Sequence, residues 1–277
     1  MSPGACPRDT SASDLGGALL AQFRVRSFVV VVVPPGLEYE AGVRLEALPL
    51  HEQARRRRIV TETRAGNLAT LHSRVLFVMA TDHEYREHLR ARIAPLIAGV
   101  GPVEAAIGTT IRLEQLRVAE ALPDLVVSLG SAGSRRCELG GVYQIEAVSW
   151  RDIDASPIGF PPGITPFADH GRVIALPTPL SRVPCATLST GSDIVVGDRY
   201  AAIDADLVDM ETFAVLRACQ RFVVPMMGLR GVSDGPGELD GVSGWTELLP
   251  LLDERLASAV DLLVDWLATE GRTSSGS

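Results

Sequence analysis

After the first quarter of the chain, short runs of apolar residues alternate with longer amphipathic segments. Val75–Met79 and Leu125–Leu129 are continuous apolar runs, the pattern of strands that are covered on both faces. Between them, Val103, Ile107 and Ile111 recur at four-residue spacing, as one face of a helix does. This alternation predicts an α/β fold of three layers, in which helices flank a mixed, mostly parallel central sheet.

The other predicted elements continue this alternation. Further strands are predicted at Val142–Ser149, Ala186–Ser189, Leu207–Met210 and Val223–Leu229. Further helices are indicated by the stripes Tyr85/Leu89/Ile93, Val215/Cys219/Phe222 and Leu252/Leu256/Val260/Leu263/Leu267. With 277 residues, of which 46% are hydrophobic, the chain can bury one sizeable core.

The chain divides into unequal parts. Residues 1–72 are rich in Pro, Gly, Ser and Arg, and we expect an N-terminal extension that is poorly ordered or loosely attached and dispensable for folding. Residues 73–270 form the predicted α/β domain, and residues 271–277 a disordered tail. A long proline-rich stretch, residues 151–184, is a candidate lid or subunit contact.

Composition restricts the partners of the chain. A formal charge of −8 disfavours nucleic acid and anionic membranes, and the basic run Arg55–Arg58 is more typical of a solvated helix face or arm. The apolar run Phe28–Val33 is much shorter than the ~20 residues that cross a bilayer. The four cysteines are widely spaced and match no zinc signature, so we expect reduced thiols, no metal, no cofactor and a cytoplasmic protein.

Two acidic residues come directly after predicted strands. Glu211 follows Leu207–Met210, and Asp234 follows an apolar run that ends at Val232. Ligands of open α/β sheets bind outside the carboxyl ends of the strands, so we expect both acids to face one pocket. Such a pair suits the cleavage of a bond to a sugar, because one acid can protonate the leaving group while the other accepts from hydroxyls.

A bond between ribose and a purine gives each acid a role. Burial is expected to raise the pKa of Asp234 above the ~3.9 of free aspartate, so that it can protonate the base, with Ser233 orienting it. Glu211 can accept from two ribose hydroxyls, and Met210 offers an apolar surface to the ring. The structural alternatives are that Glu211 complements a helix terminus and that Ser233-Asp234-Gly235 is an ordinary turn.

A third acid is needed to activate water, and two candidates follow the first strand. Thr81 and Glu84 have the spacing of a capping box, which would give Glu84 a structural task at a helix start. Asp82 is then the acid that is free to face the pocket. The residues therefore favour Asp82, with Glu84 as the alternative.

Glycine-rich segments give weaker signals. Gly130-Ser131-Ala132-Gly133 follows a buried strand and can present backbone N–H groups to a ligand at close approach. Gly99-x-Gly101 lacks the third glycine of a dinucleotide-binding motif, since position 104 is Glu. A nicotinamide-dependent dehydrogenase is therefore disfavoured.

Taken in order, five motifs resemble those of the nucleoside phosphorylase and nucleosidase superfamily, and most closely the 5′-methylthioadenosine/S-adenosylhomocysteine nucleosidases. The motifs are Val78-Met79-x-x-Asp82, Gly99-Val100-Gly101-Pro102-Val103-x-Ala105, Leu129-Gly130-Ser131-Ala132-Gly133, Val208-Asp209-Met210-Glu211 and Arg230-Gly231-Val232-Ser233-Asp234. The resemblance runs from about residue 74 to residue 267. It implies the nucleoside phosphorylase-like fold and hydrolysis of adenine nucleosides to adenine and a thioribose product.

The resemblance also implies roles for single residues. Asp234 would protonate nitrogen seven of the purine, and Met210 and Glu211 would bind the ribose. Ser131 and Gly133 would line the water and sugar site. Ile194 and Val195 would lie against the base, Val195 through its main chain. The family is typically a homodimer in which a loop of the partner closes the site, and Asp154–Phe167 is the candidate for that loop.

The chain departs from the family at two positions. The family usually activates water with glutamate, which is one methylene longer than Asp82, and Ile194 stands where many members stack an aromatic ring on adenine. Two other functions stay open, a phosphate-dependent phosphorylase and a nucleoside sensor without turnover. Asp82 and Glu84 would repel phosphate, and a sensor would not need a proton donor, so the residues favour a hydrolase.

Overall fold

The computed structural model describes residues 74–237 and 241–273, and an antiparallel hairpin of β1 (Phe23–Val25) and β2 (Phe28–Val30). Apart from this hairpin, the predicted N-terminal extension lies outside the described residues, and so do Arg55–Arg58 and residues 274–277 of the predicted tail. The last helix extends to Thr273, so the first three residues of that tail are helical in backbone.

Helices and strands alternate through the main region. The strands are β3 (Val75–Met79), β4 (Leu96–Ile97), β5 (Leu125–Ser134), β6 (Val142–Trp150), β7 (Val173–Ala175), β8 (Cys185–Thr190), β9 (Leu207–Asp209) and β10 (Met226–Asp234). The helices are α1 (Glu87–Arg90), α2 (Pro102–Val118), α3 (Thr212–Arg221), α4 (Gly241–Thr246) and α5 (Leu249–Thr273). All six predicted strands are present, and β4 and β7 are additions.

Two predicted elements have different limits in the structure. The helix predicted from Tyr85, Leu89 and Ile93 is only four residues long, although Leu89 and Ile93 are buried as its stripe requires. The last strand begins at Met226 rather than Val223, because Val223 has a positive φ of 56° and Pro225 follows it. A positive φ at a β-branched residue marks a turn rather than a strand.

The sheet is mixed, with five parallel and three antiparallel pairings, as predicted. Strand β5 is its centre. On one side β5 pairs in parallel with β10 along most of its length. On the other side its first half pairs in parallel with β3, and its last two residues pair antiparallel with β9. The sheet therefore divides beside Gly130–Ala132, between the carboxyl end of β3 and the end of β9.

Two apolar cores cover the two faces of the sheet, which gives the three predicted layers. In β3, Phe77 faces the core that contains α5, whereas Leu76 and Val78 face the core that contains α2 and α3. Each of these strand residues is at most 8% exposed. The continuous apolar runs of the sequence are therefore strands that are covered on both faces.

Helix α2 packs on the sheet through small residues and not through its apolar stripe. Ala105 and Leu113 are buried, and Gly108 lies so close to the residue after β4 that an added Cβ would be 2.9 Å from the Ala98 carbonyl oxygen. Val103 and Ile107 are 65% and 49% exposed, and Ile111 is exposed as well. The stripe thus faces outward in the single chain. Among the described helices, none is long and apolar enough to cross a membrane.

Candidate active site

A cavity of about 240 Å³ opens where the sheet divides, at the carboxyl ends of β3, β5 and β10 and beside the end of β9. Its lining residues are Ala80, Thr81, Glu84, Val100, Ser131, Ala132, Gly133, Arg151, Asp193, Ile194, Val195, Val208, Asp209, Met210, Glu211, Asp234 and Trp245. The structure thus brings together the two strand-end acids and most of the other predicted site residues. Ser233 lies just behind the cavity, beside Asp234.

Glu84, not Asp82, is the acid that faces the cavity after β3. Its side chain is nearly buried, and Oε1 accepts a hydrogen bond of 2.6 Å from the backbone N–H of Ser131. Gly130 makes this approach possible, since an added Cβ would lie 3.2 Å from Oε1. Asp82 is exposed and lies with His83 on the outer surface. The expectation that Asp82 faces the pocket is wrong.

The reason for this error is that the predicted capping box does not form. Helix α1 begins only at Glu87, and Thr81 Oγ1 bonds to His83, accepting from its backbone N–H at 3.3 Å. Glu84 is therefore not used as a cap. The N-terminus of α1 is instead capped from a distant helix by Asp253, whose carboxylate accepts from the backbone N–H groups of Arg86, His88 and Leu89.

Glu211 stands at the N-terminus of α3 and reaches across the cavity. Its Oε1 accepts a hydrogen bond of 2.8 Å from the backbone N–H of Gly101. Burial and the nearby charge of Asp209 raise the pKa of Glu211 to about 7. Close to neutral pH this carboxyl group can therefore exist in either form, and Met210 beside it contributes an apolar part of the wall.

A buried ion pair lies beneath Glu211 and was not found from the sequence. The Arg230 guanidinium contacts Asp209 Oδ2 at 2.9 Å and donates to Ser128 and Thr212. Thr190 donates to the other oxygen of Asp209. Burial acts to raise the pKa of Asp209, but the Arg230 charge and these hydrogen bonds lower it overall. Asp209 is therefore a permanent negative charge that supports the end of β9.

Asp234 ends β10, where the pairing with β5 becomes irregular between Val232 and Asp234. Ser233 Oγ donates a 2.5 Å hydrogen bond to Asp234 Oδ1, as the orienting role of Ser233 requires. Burial raises the pKa of Asp234, although the hydrogen bond from Ser233 acts in the opposite direction. A raised pKa suits a group that gives up a proton to a leaving base.

The remaining wall combines predicted and unpredicted residues. Ser131 and Gly133 lie within β5, not in a loop after it, and Ser131 Oγ accepts from Trp245 Nε1 at 3.1 Å. Val195 is buried, whereas Ile194 is 61% exposed at the cavity rim. Trp245 was not predicted, because it lies in a short helix that no periodic pattern marks.

The predicted closing loop does not reach the cavity of its own chain. None of residues 154–167 lines it, and Ile158 and Phe167 are 70% and 93% exposed. Within the part of the chain that the structure describes, no three His, Cys, Asp or Glu side chains are placed to hold a metal ion.

Known proteins are similar to this chain in sequence. The family model described as the phosphorylase superfamily matches residues 78–264. A 5′-methylthioadenosine/S-adenosylhomocysteine nucleosidase of Actinobacillus succinogenes is 31% identical over 175 residues, which cover 56% of this chain and 73% of that protein. Another, from Haemophilus influenzae, is 29% identical over 194 residues, or 64% and 82% of the two chains.

Solved structures agree on the fold. Futalosine hydrolase of Helicobacter pylori matches with a TM-score of 0.59 at 18% identity, over 71% of this chain and 99% of that one. The nucleosidase of Campylobacter jejuni matches with a TM-score of 0.57 at 16% identity, over 70% and 98%. The family model and the relative from Actinobacillus succinogenes show that the chain belongs to the phosphorylase superfamily and, within it, to the 5′-methylthioadenosine/S-adenosylhomocysteine nucleosidases.

Proposed function

We propose that the chain hydrolyses the N-glycosidic bond of adenine nucleosides such as 5′-methylthioadenosine and S-adenosylhomocysteine, releasing adenine and the thioribose product. The observation that carries the proposal is the convergence of Glu84, Glu211 and Asp234 on one cavity. Each of the three has a different backbone or side-chain partner. The two curated relatives described above carry the name of this activity.

The three acids divide the reaction between them. Asp234, with its raised pKa, transfers its proton to nitrogen seven of the base as the bond to the sugar breaks. The ribose cation that forms is held by Glu211, which accepts from the ribose hydroxyls beside Met210. Glu84 takes a proton from water, whose oxygen bonds to the anomeric carbon. Glu84 thus replaces Asp82 in this role. With a glutamate as the water-activating acid, the chain agrees with the usual residue of the family at this position.

The remaining predicted residues form the walls of the substrate site. Ser131 and Gly133 line the side on which Glu84 would hold water. Val195 offers its main chain to the base, and Ile194, which is largely exposed at the rim, lies beside the base and leaves the cavity open there. The indole of Trp245 adds an apolar surface that sequence reasoning did not assign.

A phosphorylase is disfavoured by the charges of the cavity. Phosphate needs free cationic donors. Among the described residues that line the cavity, Arg151 is the only cation, and its terminal nitrogens are bonded to the protein although its buried Nε has no partner. The terminal nitrogens of Arg151 donate to the carbonyl oxygens of Ser189 and Asp193, at 2.6 and 2.7 Å, and Arg230 is paired with Asp209. The two carboxyl groups Glu84 and Glu211 face the same space and repel phosphate.

The assay that tests the proposal is release of free adenine from 5′-methylthioadenosine, with and without inorganic phosphate. We expect equal rates in both, and a loss of about 10²-fold or more in Asp234→Asn, because the general acid is removed. Release that requires phosphate would establish a phosphorylase. Tight nucleoside binding without any adenine release would establish a sensor.

We also propose that the chain forms a homodimer through the exposed stripe of Val103, Ile107 and Ile111 on α2. Val100, which precedes this helix, lines the cavity and is 56% exposed, so the stripe is continuous with the rim of the site. A partner on this stripe can bring its exposed loop, residues 154–167, over the open rim of the cavity. The molar mass in solution, measured by light scattering, tests the proposed dimer.

The cellular role that we propose for the hydrolysis of these nucleosides is methionine salvage in the cytoplasm.

A further inference from the structure

Tyr200 is a buried tyrosine that none of the roles above uses. It lies in the short 3₁₀ turn Gly197–Ala202, is 3% exposed, and packs against Val195 and Val208 of the cavity wall. Its hydroxyl group is fully buried and makes no hydrogen bond of good geometry to a described residue, although Asp234 lies close enough to interact with it. A buried hydroxyl without a partner costs free energy, so such groups are rare and often have a functional reason.

The hydroxyl of Tyr200 lies beside the proton donor. A Cβ added to Gly133 would clash with the Tyr200 hydroxyl oxygen and would lie 2.8 Å from Asp234 Oδ2. The Tyr200 hydroxyl oxygen and Asp234 Oδ2 therefore both lie close to Gly133. The other oxygen of Asp234, Oδ1, already accepts from Ser233. The carboxyl group thus has one oxygen that is held by a hydroxyl and one that faces a buried phenol.

We propose that Tyr200 is a positioning residue for Asp234, whose phenolic O–H donates to Oδ2 when Asp234 has transferred its proton to the base. The proposal rests on the hydrolase function proposed above. In this step the O–H bond of Asp234 breaks, an N–H bond to the base forms, and the electron pair stays on the carboxylate. The phenol keeps its own proton throughout and stabilises the new charge.

The charges around the pair favour this arrangement. Burial and the nearby Asp234 carboxylate raise the pKa of Tyr200 far above neutral pH, so the phenol can act only as a neutral donor. Arg151, at the end of β6, acts in the opposite direction on Tyr200. The other charged groups that line the cavity are the acids Glu84 after β3, Asp193 after β8, Asp209 at the end of β9 and Glu211 at the start of α3.

Replacing Tyr200 by Phe tests the proposal, because it removes the hydroxyl and keeps the ring. We expect kcat for adenine release to fall about tenfold or more, since a hydrogen bond to a charged group is lost from the transition state. KM should change little, because the phenol does not touch the substrate. The thermal midpoint should change little where Asp234 is protonated, because the hydroxyl then has no hydrogen bond of good geometry to lose.

The pH profile separates positioning from a purely structural role. Loss of a donor to the carboxylate raises the pKa of Asp234 further, so the descending limb of kcat/KM should move to higher pH by about one unit. A partly unfolded variant lowers the rate equally at every pH and leaves the limb in place. The matched control is Tyr143→Phe, which removes a hydroxyl that accepts from the backbone N–H of Glu138 outside the cavity.

The proposal is overturned if the descending limb of the kcat/KM profile lies at the same pH in Tyr200→Phe as in the wild type, whatever the rate of the variant. A limb that moves equally in Tyr143→Phe also overturns it. Failure of the proposed function is a separate result, because the wild-type chain would then release no adenine at any pH.

Discussion

Replacement of Glu211 by Gln tests the free energy that the buried carboxyl group at the start of α3 costs the folded protein. Gln keeps an oxygen that can accept from the Gly101 N–H but cannot ionise. The pKa of Glu211 in the folded protein is raised from 4.5 to about 7, mainly by burial and by the charge of Asp209. A rise of this size corresponds to about 3 kcal/mol in favour of the protonated form.

The direction in which Glu211 changes the free energy of unfolding follows from its protonation in the folded and unfolded chains. Below pH 4.5 Glu211 is protonated in both the folded and the unfolded chain, and it has no effect on their balance. Between 4.5 and about 7 the folded protein holds the proton and the unfolded chain releases it, so stability is lost as the pH rises. Glu211→Gln should therefore match the wild type at pH 4.5 and gain up to about 3 kcal/mol on it at pH 8.

Urea unfolding of both proteins at pH 5 and pH 8 measures this difference. The comparison between them cancels the titration of groups that do not interact with Glu211, provided that the slope with urea stays the same. Adenine release should fall in the variant at both pH values, because the carboxylate that holds the ribose is absent. A stability difference that is equal at both pH values would refute the reasoning and place Glu211 in contact with water.

Two further predictions concern the water-activating acid and the subunit contact. Glu84→Gln should lower kcat by about 10²-fold or more, whereas Asp82→Asn, on the outer surface, should leave it within about twofold, as steady-state kinetics will show. A larger loss of kcat in Asp82→Asn than in Glu84→Gln would restore Asp82 to the mechanism. Ile107→Glu should convert a dimer to monomers in sedimentation, while Arg112→Glu, off the stripe on the same helix, should not. A monomeric wild-type chain would exclude the proposed dimer.

The fold was predictable because its strands are covered on both faces and read as continuous apolar runs. The strand-end acids Glu211 and Asp234 were predictable for the same reason, since strand ends fix where their side chains meet. Asp82 was wrongly expected to face the pocket, because the conformation of the loop between Thr81 and Glu84 decides which acid points inward. The sequence pattern predicts a helix cap at Thr81. The residue that caps α1 in the structure is Asp253, which lies in α5, some 170 residues further along the chain.

Long-range partners were the part of the site that the sequence did not reveal. Arg230 was recognised only as part of a motif, and its pairing with Asp209 depends on how β9 and β10 lie against β5. The outward stripe of α2 shows a related difficulty. Apolar spacing predicts a helix face, but Ala105 and Gly108 let the other side of the helix approach the sheet, so the stripe stays exposed in the single chain.

The pairing of β5 has a consequence for how the molecule fluctuates. Glu84 is bonded to the backbone of Ser131, Asp234 pairs opposite Gly133, and the strand that precedes Glu211 pairs with Gly133 through Val208. All three acids thus take their positions from residues 131–133 of β5, a strand that pairs with three others. Local opening is expected first in peripheral strands such as β4 and β7, which pair only at one edge. The spacing of the acids should then persist through openings that expose much of the outer sheet.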